Sequence, residues 1–109
     1  MATIDFESLL KNLENAISSL AVSTVKEYAD QAKTDGLNMI ETLKKDIQSW
    51  SQEVIDGKLN KDDLEFLVMS KKELIQMNAL KQAGLALVKI DEFKNSVLTL
   101  IVNGLTALI

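Results

Sequence analysis

Only carboxylates, lysines and hydroxyls are available for chemistry in this sequence. It holds sixteen Asp and Glu against twelve Lys, and it has no His, Cys, Pro or Arg. The commonest general base and transition-metal ligand is therefore absent, and so are thiolate nucleophiles and disulfides. The acids pair with lysines at helical spacing: Glu41 with Lys44 and Lys45, Asp62 with Lys58 and Lys61, Glu92 with Lys89. Such pairs mark solvated helix faces rather than a catalytic dyad, because no two acids share an otherwise apolar face. No catalytic residue is assigned, and the chain is expected not to be an enzyme.

One stretch resembles part of a metal site. "DGKLNKDDLE", residues 56–65, is similar to the second half of an EF-hand calcium loop, with Asp56, Asn60 and Asp63 at ligand positions. Gln52 and Val54 then fall where the first two side-chain ligands belong, and neither supplies the carboxylate a hard cation needs. The stretch reads better as a turn followed by a capped helix, and neither a metal nor a cofactor is expected. Nucleic acid is excluded on similar grounds: the net charge is −4, and Lys alternates with acid rather than forming a basic stripe.

These residues must be positioned by helices. The apolar period is helical throughout and recurs every eleven residues: Phe6, Ile17, Tyr28, Met39, Trp50 and, beside them, Leu10, Ala21, Ala32, Leu43, Val54. Leu64, Ile75, Ala86, Val97, Leu108 repeat it in the second half, flanked by Val68, Ala79, Ile90 and Ile101. Eleven residues in three turns is close to the relaxed α-helical period, so each stripe runs nearly straight. The clearest boundary is Asp56-Gly57, where Gly suits a left-handed helix end and Asn60 can cap the next helix. The expectation is a single all-α domain over 1–109: a long antiparallel helical hairpin with arms near 5–56 and 61–109 and a turn at 56–60. Each arm would be about 75 Å long if continuous. Candidate breaks lie near 23, 35 and 70, at the Thr24–Glu27 capping-box pattern, at "KTDG" and at Ser70. A compact four-helix up-down bundle is the alternative architecture.

Folding at 56–60 places Trp50 near Leu67, Ile17 near Leu100, and the uncharged stretch Asn15–Val25 beside residues 92–102. The tail "NSVLTLIVNGLTALI" has no charged side chain. Its eight large aliphatics represent on the order of 12–24 kcal/mol if fully buried, more than a small domain can leave in water. A hairpin covers one face of each arm, whereas the second arm has two, with Met77, Leu80, Gly84 and Leu87 beside the main stripe. The expected interaction surface is therefore Met77, Leu80, Leu87, Val97, Leu98, Leu100, Ile101, Val102, Leu105, Leu108 and Ile109. Through it, hairpins would assemble into a helical bundle as homo-oligomers, or bind a helical protein partner.

The alternative function is a membrane- or lipid-engaging helical protein that uses the apolar hairpin end. "STVKEYADQAKTDGLNMIETLKK" resembles in composition the amphipathic repeats of apolipoproteins, over about a fifth of the chain. No stretch reaches the roughly 18 uninterrupted apolar residues of a membrane-spanning helix. The N-terminus has no secretory signal pattern, so the expected compartment is cytoplasmic, with membrane association or signal-less export as alternatives. Small helical-hairpin secretion substrates of similar length carry a Trp-x-Gly turn, which is absent here, since Trp50-Ser51-Gln52 falls inside a helix, several residues before Asp56-Gly57.

Overall fold

The computed structural model describes residues 5–108 and is all-α. Five α-helices form it: α1 (Phe6–Thr24), α2 (Ala29–Ile55), α3 (Lys61–Met69), α4 (Asn78–Ala83) and α5 (Leu87–Thr106). Single 3₁₀ turns lie at Lys26–Tyr28 and Lys72–Leu74. The molecule measures 47 × 24 × 20 Å, too short for continuous 75 Å arms.

The 56–60 boundary forms as its residues require. Gly57 takes φ 77°, and the N–H groups of Gly57 and Lys58 return to the carbonyls of Val54 and Glu53, closing α2. Asn60 then opens α3 with a reciprocal capping box: its side chain accepts from the Asp63 N–H at 2.8 Å, and the Asp63 carboxylate accepts from the Asn60 N–H at 3.1 Å. Asn60 and Asp63, which the calcium pattern would have used as ligands, are thereby spent on helix capping.

The arms themselves are divided. The first ends at Val25, but not through the expected capping box: the hydroxyls of Ser23 and Thr24 both turn back onto the Leu20 carbonyl, at 3.1 and 2.7 Å. Back-bonding hydroxyls and the β-branched Val22 and Val25 weaken the helix here, and Val25 leaves it at φ −134°. The suspected stop at "KTDG" does not form, and α2 runs unbroken through it for 27 residues. The second arm breaks after Ser70, whose hydroxyl also returns to a carbonyl, that of Leu67. It breaks again at Ile75, which is extended, and at Gly84, which has φ 91°.

Because Val25 breaks the first arm, α1 folds back on α2, and Ile17 packs against Gly36. Helix α5 also runs antiparallel to α1, with Leu13 against Gly104 at one end and Val25 beside Lys89, Glu92 and Phe93 at the other. This is the open-end pairing expected of the hairpin. Near the turn the expectation fails, since α3 packs on α5 rather than along α2, so the arms do not pair there. With α2 and α5 both antiparallel to α1, they run parallel to each other. Parallel neighbours need a crossover, and α3, the 3₁₀ turn and α4 supply it.

The core is continuous. Ile17, Met39, Leu43, Ile47, Leu64, Met77, Leu80, Phe93, Leu98, Ile101 and Leu105 are almost fully buried within it. Gly36 sets the closest approach, because a Cβ there would collide with Ile17 Cγ2 and lie 3.8 Å from the Phe93 ring. Gly104 is less constrained, with Leu13 Cδ2 at 3.0 Å as its tightest neighbour. Gly36→Ala should lower the unfolding free energy by about 1–3 kcal/mol, despite the helix preference of Ala, because a buried β-branched neighbour cannot yield. Gly104→Ala should stay within about 1 kcal/mol of wild type, since the Leu13 methyl can swing aside. Urea titration of the two variants checks the contrast.

Candidate interaction groove

The structure redistributes the expected interaction surface. Met77, Leu80, Val97, Leu98, Ile101, Val102 and Leu105 are buried in the chain's own core. They do not form an outward face, because the breaks at Val25 and after Ser70 let one chain wrap both faces of the second arm. Leu100 and Leu108 are half-buried, Leu87 is 72% exposed, and Ile109 lies outside the described residues. Asn95, Thr99 and Thr106, polar residues of the tail, face outward or lie half-buried, and their side chains bond locally. Thr99 and Thr106 donate to the carbonyls of Asn95 and Val102 at 2.9 and 2.7 Å, and the Asn95 amide donates to Asp91 at 3.3 Å.

Leu100 and Leu108 instead help to floor a groove between α1 and α5. It is an open cleft of about 580 Å³, with Leu9, Leu13 and Ala16 on the α1 side and Gly104 and Ala107 on the α5 side. Ile55 at the end of α2 closes one flank, and Asp5, Ser8, Asn12 and Asn103 give it polar edges. Its depth comes from small residues. Ala16, Gly104 and Ala107 stand where larger side chains would fill the space, and they lie one and two turns along from the leucines of the same helices. The volume is within the usual range of ligand-sized clefts, and the lining is mostly apolar.

Asp5 is the one charged residue of the lining. It is the N-cap of α1, with one carboxylate oxygen accepting the Ser8 N–H at 3.1 Å and the other the Ser8 hydroxyl at 2.8 Å. The Ser8 hydroxyl, then its N–H, hold the Asp5 carboxyl below the usual aspartate range. A second carboxylate, Asp35 on α2, is buried, and its two oxygens accept the N–H groups of Ala79 and Leu80 at 3.0 and 2.8 Å. Asp35 thus caps α4 across 44 residues, since Met77 at the start of α4 offers no capping side chain. Sequence reading missed this contact, because its only local sign is a helix that starts without a cap.

Among the described residues, no group of three or more His, Cys, Asp and Glu comes together to hold a metal ion. No buried side-chain nitrogen or oxygen lacks a hydrogen-bond partner among them. None of their helices is long and apolar enough to cross a membrane.

Because the folded pKa of Asp5 is depressed, its capping contribution is present above the unfolded value and lost as pH falls through the folded one. In an NMR titration the Asp5 carboxyl should titrate below the usual aspartate range, and the Ser8 amide shift should follow it. Ser8→Ala should move that titration upward. A wild-type midpoint at or above the usual range would contradict the cap.

No protein-family model matches this chain, and neither a curated protein nor a solved structure is significantly similar to it.

Proposed function

We propose that this chain is a non-enzymatic interaction protein that self-associates by docking a helix of a second copy in the α1/α5 groove. The observation that carries this reading is the groove itself, a mostly apolar cleft of about 580 Å³ left open by small residues on both walls. Side chains projecting from an apolar helix face fit such a cleft as knobs, and the Gly104 and Ala107 positions let a helix backbone come near. Among the described residues, the two buried polar side chains are both engaged in structural hydrogen bonds: Asp35 caps α4, and the Ser51 hydroxyl donates to the Gln48 carbonyl at 2.8 Å. Those bonds suit a structural role better than a reactive one.

Light scattering on a size-exclusion column over a concentration series tests the reading. Wild type should move from 12.1 kDa towards a discrete multiple of it as concentration rises. Ala16→Glu, which puts a charge into the groove, should remain at the monomer mass with unchanged helicity. A wild type that stays monomeric at every concentration, or a variant that associates equally well, would contradict the proposal.

A second reading, engagement of a lipid surface, is favoured by one feature. Val22, Leu87 and Val88 stand more than half exposed where the α1–α2 and α4–α5 corners meet, with Lys89 following directly. Exposed aliphatics beside a lysine suit the interfacial zone of a bilayer. In vesicle cosedimentation, the double change Leu87→Ser and Val88→Ser should at least halve the bound fraction. If wild type does not sediment with vesicles, this reading is excluded.

A further inference from the structure

The side-chain hydrogen bonds of this protein are unevenly placed. Among the described residues, those that join positions more than four apart all end on residues 72–80 of the crossover. Asp35 accepts the Ala79 and Leu80 N–H groups at 3.0 and 2.8 Å. The Lys94 ammonium, from α5, donates to the Ile75 carbonyl at 2.8 Å and to that of Lys72 at 3.4 Å. Two of the three ion pairs among the described residues fall at the start of this stretch: Lys71, just before it, with Asp46 at 3.6 Å and Lys72 with Asp91 at 3.0 Å. The crossover is thus tied to both walls of the α2/α5 seam, by Asp35 and Asp46 on one side and Asp91 and Lys94 on the other.

The other helices are joined to one another by apolar packing alone. α1, α2 and α5 hold each other through Leu13, Ile17, Gly36, Phe93 and Gly104, with no side-chain hydrogen bond between them. α4 cannot persist in the same way. Six residues are too few for a helix to stand unaided, and its orphan N–H groups are met by a residue of another helix. Two departures from helical backbone flank α4. Ile75 is extended, and Gly84 is left-handed with no atom within 4 Å of where its Cβ would be.

We propose that residues 70–86 form a strap that opens from the α2/α5 seam as a unit, with Asp35 as its latch and Lys94 as a second tie. Opening frees the α4 N-terminus, hydrates the Asp35 carboxylate and uncovers the α2 face on which Ala32 and Met39 lie one turn to either side. Opening also withdraws Ile75, Met77 and Leu80 from the core, while α1, α2 and α5 keep the contacts they make directly with one another. Open and closed states of this kind differ by local rather than global unfolding.

Hydrogen exchange by mass spectrometry under native conditions tests the strap in wild type, Asp35→Asn and Lys94→Met. In wild type, amides of 77–83 should exchange at least tenfold faster than those of the α5 centre. Asp35→Asn keeps the size of the latch but leaves it one acceptor for two donors, and should speed 77–83 a further tenfold with α1, α2 and α5 unchanged. Lys94→Met should act on the same segment and no other. Uniform acceleration in Asp35→Asn, complete unfolding included, would overturn the proposal by making Asp35 a support of the whole fold. So would an unchanged rate in both variants, or a wild type in which 77–83 exchanges together with α5.

Discussion

A long helix with almost no charge in its second half cannot be left in water, and the rest of the fold is arranged around that constraint. Val97, Leu98, Ile101, Val102 and Leu105 of α5 are buried, and Ile90 and Phe93 extend the same face towards its start. At about 1.5–3 kcal/mol each, burial of such side chains is comparable with the whole stability of a small domain. Each of the four other helices touches α5. This sequence thus supplies its own cover for a tail that a simple hairpin would have left half exposed.

Surrounding α5 has topological consequences. Two long helices, α1 and α2, reach it from an antiparallel pair, and one of them must then run parallel to it. The chain therefore needs some thirty residues to return from the end of α2 to the start of α5, and these are the least regular part of the structure. Where three helices meet tightly, the sequence places Gly36, since any larger residue would collide with Ile17. Apolar packing fixes the three long helices, and the return adds directional polar bonds to the burial of Ile75, Met77 and Leu80. The addition follows from size, because a six-residue helix is too short to stand unaided.

Much of this was legible in the residues, and the failures have physical causes. The all-α class follows from the period of the apolar positions, and the 56–60 boundary from Asp56-Gly57 and Asn60, which act through their own backbone within a few residues. The α1/α5 register was also readable, since two uncharged stretches had to meet. Thr24 misled because a hydroxyl at a helix end can bond forwards to an N–H or backwards to a carbonyl, and local sequence does not choose between them. Gly36 looked like a stop but serves as a contact, a role visible only once Ile17 and Phe93 are brought to it. The breaks around Ile75 carry neither Pro nor Gly, and the cap that stabilises α4 comes from Asp35 on another helix. Such a tertiary cap leaves no pattern in a short window. The second apolar row looks like an outer surface in the sequence for the same reason: its partner is the chain itself, bent at places that local signals leave open.

The groove between α1 and α5 is what remains after α5 has been covered, and it is lined by the half-buried part of the same tail. Its small residues keep it open while the large aliphatics on either side are already satisfied. The tail is covered within one chain, and amide exchange of residues 97–105 as a function of protein concentration tests this most directly. Exchange should be slow and independent of dilution well below any association threshold. Protection that falls as the protein is diluted would mean that another copy provides the cover, and would contradict the account.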